Sequence, residues 1–137
     1  MVKDLIHDPI LLAAKSTDAT ADDLNTAENL LDTLKAHSKT CVGMAANMIG
    51  ERKRIICFTD GKEYVTMFNP EIIKKTEPFE TEKGCLSLIG GPRKCKRYRK
   101  IKVRFQNARL ETRLKTYTGI TAQIIQHEVD HCNGILI

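Results

Sequence analysis

Gln126-His127-Glu128-Val129-Asp130-His131 is the stretch on which the reading of this chain turns. It contains H-E-x-x-H, two histidines four apart with a glutamate after the first. On a helix, residues four apart lie one turn above each other on the same face. Two imidazoles so placed can chelate one divalent cation, and the glutamate can take a proton from a water that the cation acidifies. Apolar residues around the motif recur at helical spacing, so the helix is expected over about 119–132. Ile120, Ile124, His127 and His131 fall on one face, and Ile125, Val129 and Cys132 on another. Asn133-Gly134 is the expected C-terminal stop.

Working outward, the strands come next. Lys100-Ile101-Lys102-Val103-Arg104-Phe105 alternates strictly, basic out and apolar in, as a one-sided strand does. Arg54 to Phe58 reads as a buried strand, Asp60-Gly61 as a hairpin turn, and Tyr64 to Phe68 as its return. Asn69-Pro70 is expected to turn the chain into Ile72-Ile73, and Arg109 to Thr116 supplies a further polar strand. Upstream, Thr20 is an N-cap, Asp22 and Asp23 are first-turn acids, and Leu24, Ala27, Leu30, Leu31 and Leu34 carry a helix over about 21–37. His37, near its end, reads as a favourable C-terminal residue and not as a ligand. Residues 1–19 look irregular. Short antiparallel strands between an early and a late helix predict an α+β domain, with residues 1–137 as a single unit.

Composition bounds the function. At 137 residues, with 42% hydrophobic and 28% charged side chains, the chain is long enough for a core without disulfides. Tryptophan is absent, so aliphatic side chains must fill most of that core. The five cysteines (Cys41, Cys57, Cys85, Cys95, Cys132) are odd in number and form no C-x-x-C pair. No signal peptide or membrane span is apparent, so reduced thiols in a cytoplasmic protein are expected, with at least one thiol free for a metal. The net charge of +5 is uneven: residues 93–104 hold eight Lys or Arg and no acid, leaving about −3 for the remainder. Such a segment suits a phosphate-rich partner such as RNA, or else is an edge strand protected by charge.

A catalytic metal site needs three protein ligands and an open position. Asn133 to Ile137 contain no His, Cys, Asp or Glu, so the third ligand is expected upstream, unlike the pattern of ordinary H-E-x-x-H peptidases. Cys57 sits inside an apolar strand and reads as core. Cys41 precedes the glycine-bracketed run Gly43-Met44-Ala45-Ala46-Asn47-Met48-Ile49-Gly50, which is either a tight turn or the wall of a narrow cleft. Cys85 stands in Gly84-Cys85-Leu86-Ser87, where a glycine frees the backbone beside the thiol. By chemistry alone Cys85 leads and Cys41 remains open.

Three stretches, Gly43 to Gly50, Gly84 to Ser87 and Gln126 to His131, resemble the three motifs of peptide deformylases in the same order. The helix at 21–37, the Asn69-Pro70 turn and the Arg97 to Phe105 strand sit where that family has them, so the resemblance covers nearly the whole chain. It implies Cys85 as the third ligand beside His127 and His131. It further implies a metallohydrolase that removes the formyl group from the N-terminal formyl-methionine of nascent polypeptides. The metal would be Fe(II), with zinc, nickel or cobalt as substitutes. Glu128 would move the proton, the backbone N–H of Leu86 would steady the developing oxyanion, and Gly43, Met44 and Met48 would border the substrate.

The chain departs from the family pattern at identifiable points. Met48 stands where the family has glutamine, and a thioether cannot donate a hydrogen bond. Lys83, preceded by Glu82, stands where the second motif opens with glutamate, and Cys132 replaces the usual leucine after the motif. Losing one oxyanion donor costs about 2.7–4 kcal/mol, so turnover is expected to be low on an intact metal site. The alternatives are a lapsed relative that binds metal or formylated peptide, and a ribosome- or RNA-associated module using residues 93–104.

Overall fold

The computed structural model describes residues 1–83 and 93–135, with side chains for 1–80 and 96–135. A short helix α1 (Pro9–Leu12) replaces part of the irregular opening that the sequence led us to expect. Asp8 caps it by accepting from the Ile10 N–H, and Pro9 supplies the preset backbone angle of a first turn. A 3₁₀ turn (Ala21–Asp23) leads into α2 (Leu24–Ala36). Thr20 and Asp23 form a reciprocal capping box there, as the Thr20 N-cap reading anticipated. His37 is the C-cap of α2.

Five strands follow: β1 (Gly43–Ala45), β2 (Ile55–Thr59), β3 (Tyr64–Lys83), β4 (Arg93–Gln106) and β5 (Thr112–Thr118). They make one antiparallel sheet in chain order, with β1 and β5 at its edges. The last element is α3 (Gly119–Cys132), with the bounds that the periodicity gave. Asn133 is its C-cap and Gly134 adopts φ 73°.

One expectation needs correction. Asn69-Pro70 does not turn the chain; β3 runs straight through it. Asn69 takes φ 51°, and its side chain accepts from the Ala19 N–H and donates to the Ala19 carbonyl and to Gln106 Oε1. The register with β4 shifts here, between Phe68 and Glu71, and Pro70 sits in that irregularity, where a missing N–H costs no ladder bond.

The core lies between the sheet and the helices. Leu30 and Leu34 of α2, Ile55, Ile56 and Phe58 of β2, Met67 and Phe68 of β3, and Ile101 of β4 are all buried, with Ile125 of α3. Phe58 and Phe68 thus supplement the aliphatic filling. Cys57 is fully buried beside Thr66, as its apolar strand implied. Among the described residues no helix is long and apolar enough to cross a membrane.

Candidate metal centre

α3 packs against β1, β2 and β4, and that packing sinks its polar motif into the interior. His131 is 0% exposed, Glu128 3% and His127 8%. The exposed side of the stripe is confined to its start, at Ile120.

Buried polar side chains lock the helix in place. The Gln126 amide accepts from the Tyr98 N–H at 2.8 Å and donates to the Tyr98 carbonyl at 2.8 Å, as a neighbouring strand would. It also donates to the Ala122 carbonyl one turn back. The neighbour of His127 is thereby fixed to β4. At the other end, the Asn47 amide donates to the His131 carbonyl at 2.8 Å, tying the 3₁₀ turn Ala46–Ile49 to the last turn of α3. Arg97, 3% exposed, reaches from β4 to Asp130 at 2.9 Å. Breaking such a pair on one side would strand a charge in the interior.

The two imidazoles converge. Their Nε2 atoms lie 3.1 Å apart, with ring planes at 78°. Metal–nitrogen bonds of about 2.0–2.1 Å span that separation at an angle of about 100°, close to tetrahedral. Burial, helped by the Arg97 charge, holds the His131 pKa down to about 4, so its ring is neutral and its lone pair available at neutral pH. Glu128 lies in the same cluster, with all three candidate ligand atoms within 4.8 Å of one another. Its carboxyl is pushed up to about 8, chiefly by burial, with Arg97 pulling down and Asp130 pushing up. Glu128 Oε1 has no hydrogen-bond partner among the described residues. Two convergent imidazoles beside a buried carboxyl fit a divalent cation with an adjacent proton carrier.

The residues singled out from sequence distribute as follows. Gly43 of β1 abuts Glu128: a Cβ built there would stand 2.8 Å from Glu128 Oε2 and from Ile124 Cγ2. A glycine is thus required for β1 to approach the carboxyl so closely. Met44 is fully buried in β1. Met48, 1% exposed, turns its sulfur back to accept from the Ala45 N–H at 3.3 Å. The Gly43–Gly50 run is therefore an edge strand followed by a 3₁₀ turn, more ordered than a plain loop. Cys41 gives its thiol to the Gly43 carbonyl at 2.9 Å and is not in the His127–Glu128–His131 cluster. Burial raises its pKa, which further disfavours the thiolate that a metal needs. Cys85 and Leu86 lie outside the described residues.

Three contributors had no role assigned from sequence. Gln126 and Asn47 stood inside the motifs quoted above, and the available signal was a polar side chain at a helical position due for burial. Arg97 was read as part of a basic run and as the start of a strand, with no partner in the interior.

The family model for polypeptide deformylase matches residues 5–137. A peptide deformylase of Clostridium beijerinckii is 49% identical over 137 residues, the whole of both chains. One of Carboxydothermus hydrogenoformans is 36% identical over 96% of this chain and 86% of its own. Among solved structures, the actinonin-bound class I type b peptide deformylase of Acinetobacter baumannii superposes with a TM-score of 0.87 at 30% identity, covering 99% of this chain and 95% of that one. The same enzyme bound to Met-Ala-Ser gives 0.87 at 28% identity, over 99% and 96%. The H-E-x-x-H helix, the sheet that buries it and the glycine at Glu128 thus occur in a chain that belongs, over its full described length, to the peptide deformylase family.

Proposed function

We propose that the chain, working as one domain in the cytoplasm, is a metal-dependent hydrolase that removes the formyl group from the N-terminal formyl-methionine of nascent polypeptides. The observation that carries this reading is the convergence of His127 and His131 at 3.1 Å with the buried Glu128 beside them. His127, His131 and Cys85 would hold one divalent ion, Fe(II) in the first instance, with zinc, nickel or cobalt able to replace it. When bound, the ion supplies Lewis acidity that makes water a nucleophile at neutral pH.

The chain's own groups do the rest. Glu128 accepts the proton that water loses as its oxygen bonds to the formyl carbon. It then returns that proton to the amine nitrogen as the carbon–nitrogen bond breaks, giving formate and a free N-terminus. Burial raises the Glu128 pKa in the metal-free chain, and a bound cation would draw it back toward the carboxylate that accepts the proton. The backbone N–H of Leu86 is the proposed donor to the developing oxyanion. β1 is a sheet edge beside Glu128, so a peptide can align along Gly43 and Met44 as an added strand. The Met-Ala-Ser bound to the Acinetobacter relative supports a peptide ligand for this fold.

Met48 favours low turnover. Its sulfur is spent on the Ala45 N–H and has no proton to give the oxyanion. A second reading, a lapsed relative that retains metal, draws on the same observation. Formate release from a formyl-Met tripeptide, prepared anaerobically and compared with its acetylated analogue, tests the choice. Release from the formylated peptide alone supports the hydrolase; tight binding of that peptide with no formate supports the lapsed relative. Association with the ribosome through residues 93–104 is proposed as an accompanying contact.

A further inference from the structure

The described side chains of the basic run, residues 96–104, do not form one patch in three dimensions. Arg97 is buried against Asp130, Arg104 is paired with Glu71 at 2.7 Å, and Arg99 lies over the Phe79 ring. On the face turned away from the core a different set is built across three strands. Lys74 of β3 stands directly opposite Lys102 of β4, which stands opposite Thr116 of β5. One rung along, Thr76 faces Lys100, which faces Thr118. Lys74, Thr76, Lys100, Lys102 and Thr116 line a hollow of about 250 Å3, with Ile101 between the two β4 lysines.

No carboxylate lines this hollow, and among the described residues none of the three lysines is in an ion pair. Like charges directly opposite on a sheet are destabilising, so the pairing of Lys74 with Lys102 is a cost that an anionic occupant would relieve. Lys100 and Lys102 are two residues apart on one strand, hence about 6.6–6.8 Å along it, with a hydroxyl beside each. Ammonium groups and hydroxyls at that repeat suit a run of phosphates. Among the described residues no aromatic side chain lines the hollow, which removes the stacking platform that single-stranded nucleic acid uses. Nor does an exposed apolar side chain line it to enter a lipid surface. Duplex RNA, met through phosphates and 2′-hydroxyls, needs neither.

We infer that the Lys74–Lys100–Lys102 hollow is a docking site for the phosphate backbone of double-stranded RNA, on the side of β4 opposite the metal centre. It sharpens the proposed ribosome contact and rests on that reading only for its setting. RNA binding is measured apart from deformylation, so either can fail alone.

The test uses the full chain and a short mixed-sequence RNA duplex, followed by fluorescence anisotropy across a KCl series. Three phosphate contacts predict that log K falls with log salt at a slope of about −2.7. The triple variant Lys74→Gln/Lys100→Gln/Lys102→Gln should bind at least tenfold more weakly at low salt, with the slope reduced by about two to three. Its urea-unfolding midpoint should at least match the parent, which shows that it folds. A control, Lys39→Gln/Lys62→Gln, should keep the parental slope. No binding by the parent, an unchanged slope in the triple variant, or tighter binding to anionic phospholipid vesicles than to the duplex would overturn the inference.

Discussion

Replacing Gly43 with alanine perturbs Glu128 and its helix neighbour Ile124, which makes the effect calculable. The new Cβ would stand 2.8 Å from Glu128 Oε2 and from Ile124 Cγ2, and 3.2 Å from Glu128 Cγ. Ordinary contact begins at 3.4 Å, so the carboxylate oxygen must retreat by about 0.6 Å. Misplacement of a reacting group by about 1 Å costs about 10²-fold in rate, which gives an expected loss of 10- to 100-fold here. Overpacking adds about 1–3 kcal/mol of destabilisation. His127 and His131 do not touch the new methyl group among its three nearest neighbours, so metal content should be unchanged. The assay is kcat on a formyl-Met tripeptide, expressed per bound metal, alongside urea unfolding. Gly61→Ala is the comparison: at φ 95° but with open space around it, it should lose stability and keep its rate. A Gly43→Ala protein with parental kcat per metal would refute the close-approach argument, and so would a rate loss accounted for wholly by lost metal.

Three further outcomes are expected. Met48→Gln should raise kcat by about 10²–10³, because the new amide can accept from the Ala45 N–H with its oxygen and still donate with its nitrogen; an unchanged rate would show that position 48 is not limiting. Gln126→Leu strips the Tyr98 N–H and carbonyl of their partner and should cost on the order of 1–3 kcal/mol in urea unfolding; a neutral effect would mean that the helix does not depend on this bond. In the metal-free chain, Glu128 has a folded pKa near 8 against an ordinary 4.5, so its share of stability is full below 4.5 and is lost as pH rises to 8. His131, lowered from 6.5 to about 4, acts the other way, losing stability as pH falls through that interval. The two oppose each other up to pH 6.5, beyond which the Glu128 contribution is no longer countered by His131 and stability should fall; a Glu128→Gln protein that falls as steeply as the parent between 6.5 and 8 would contradict this.

What the sequence made legible follows from local physics. α3 was readable to its ends because its stripe, its motif and its Asn133-Gly134 stop agree. β4 was readable because Ile101, Val103 and Phe105 alternate with bases. The continuation of β3 past Pro70 was not, because it depends on long-range bonds from Asn69 to Ala19 and Gln106 that no local pattern encodes. The basic run misled for a related reason. Charge counts along a chain say nothing of which side chains turn inward, and Arg97 belongs to the interior while Lys74, outside the run, belongs to the surface set. In the site, the chemistry of His127, Glu128 and His131 was legible from spacing. The supports at Gln126 and Asn47 were not, because each uses a side-chain amide to bond backbone brought near only by folding.

The measurement that bears most directly on the account is formate release per bound metal, with metal content determined on the same anaerobic sample, for the parent and for Glu128→Gln. The account predicts about one divalent ion per chain in both proteins, formate from the parent, and a loss of at least 10²-fold in the variant. Equal release from the two at equal occupancy would contradict it.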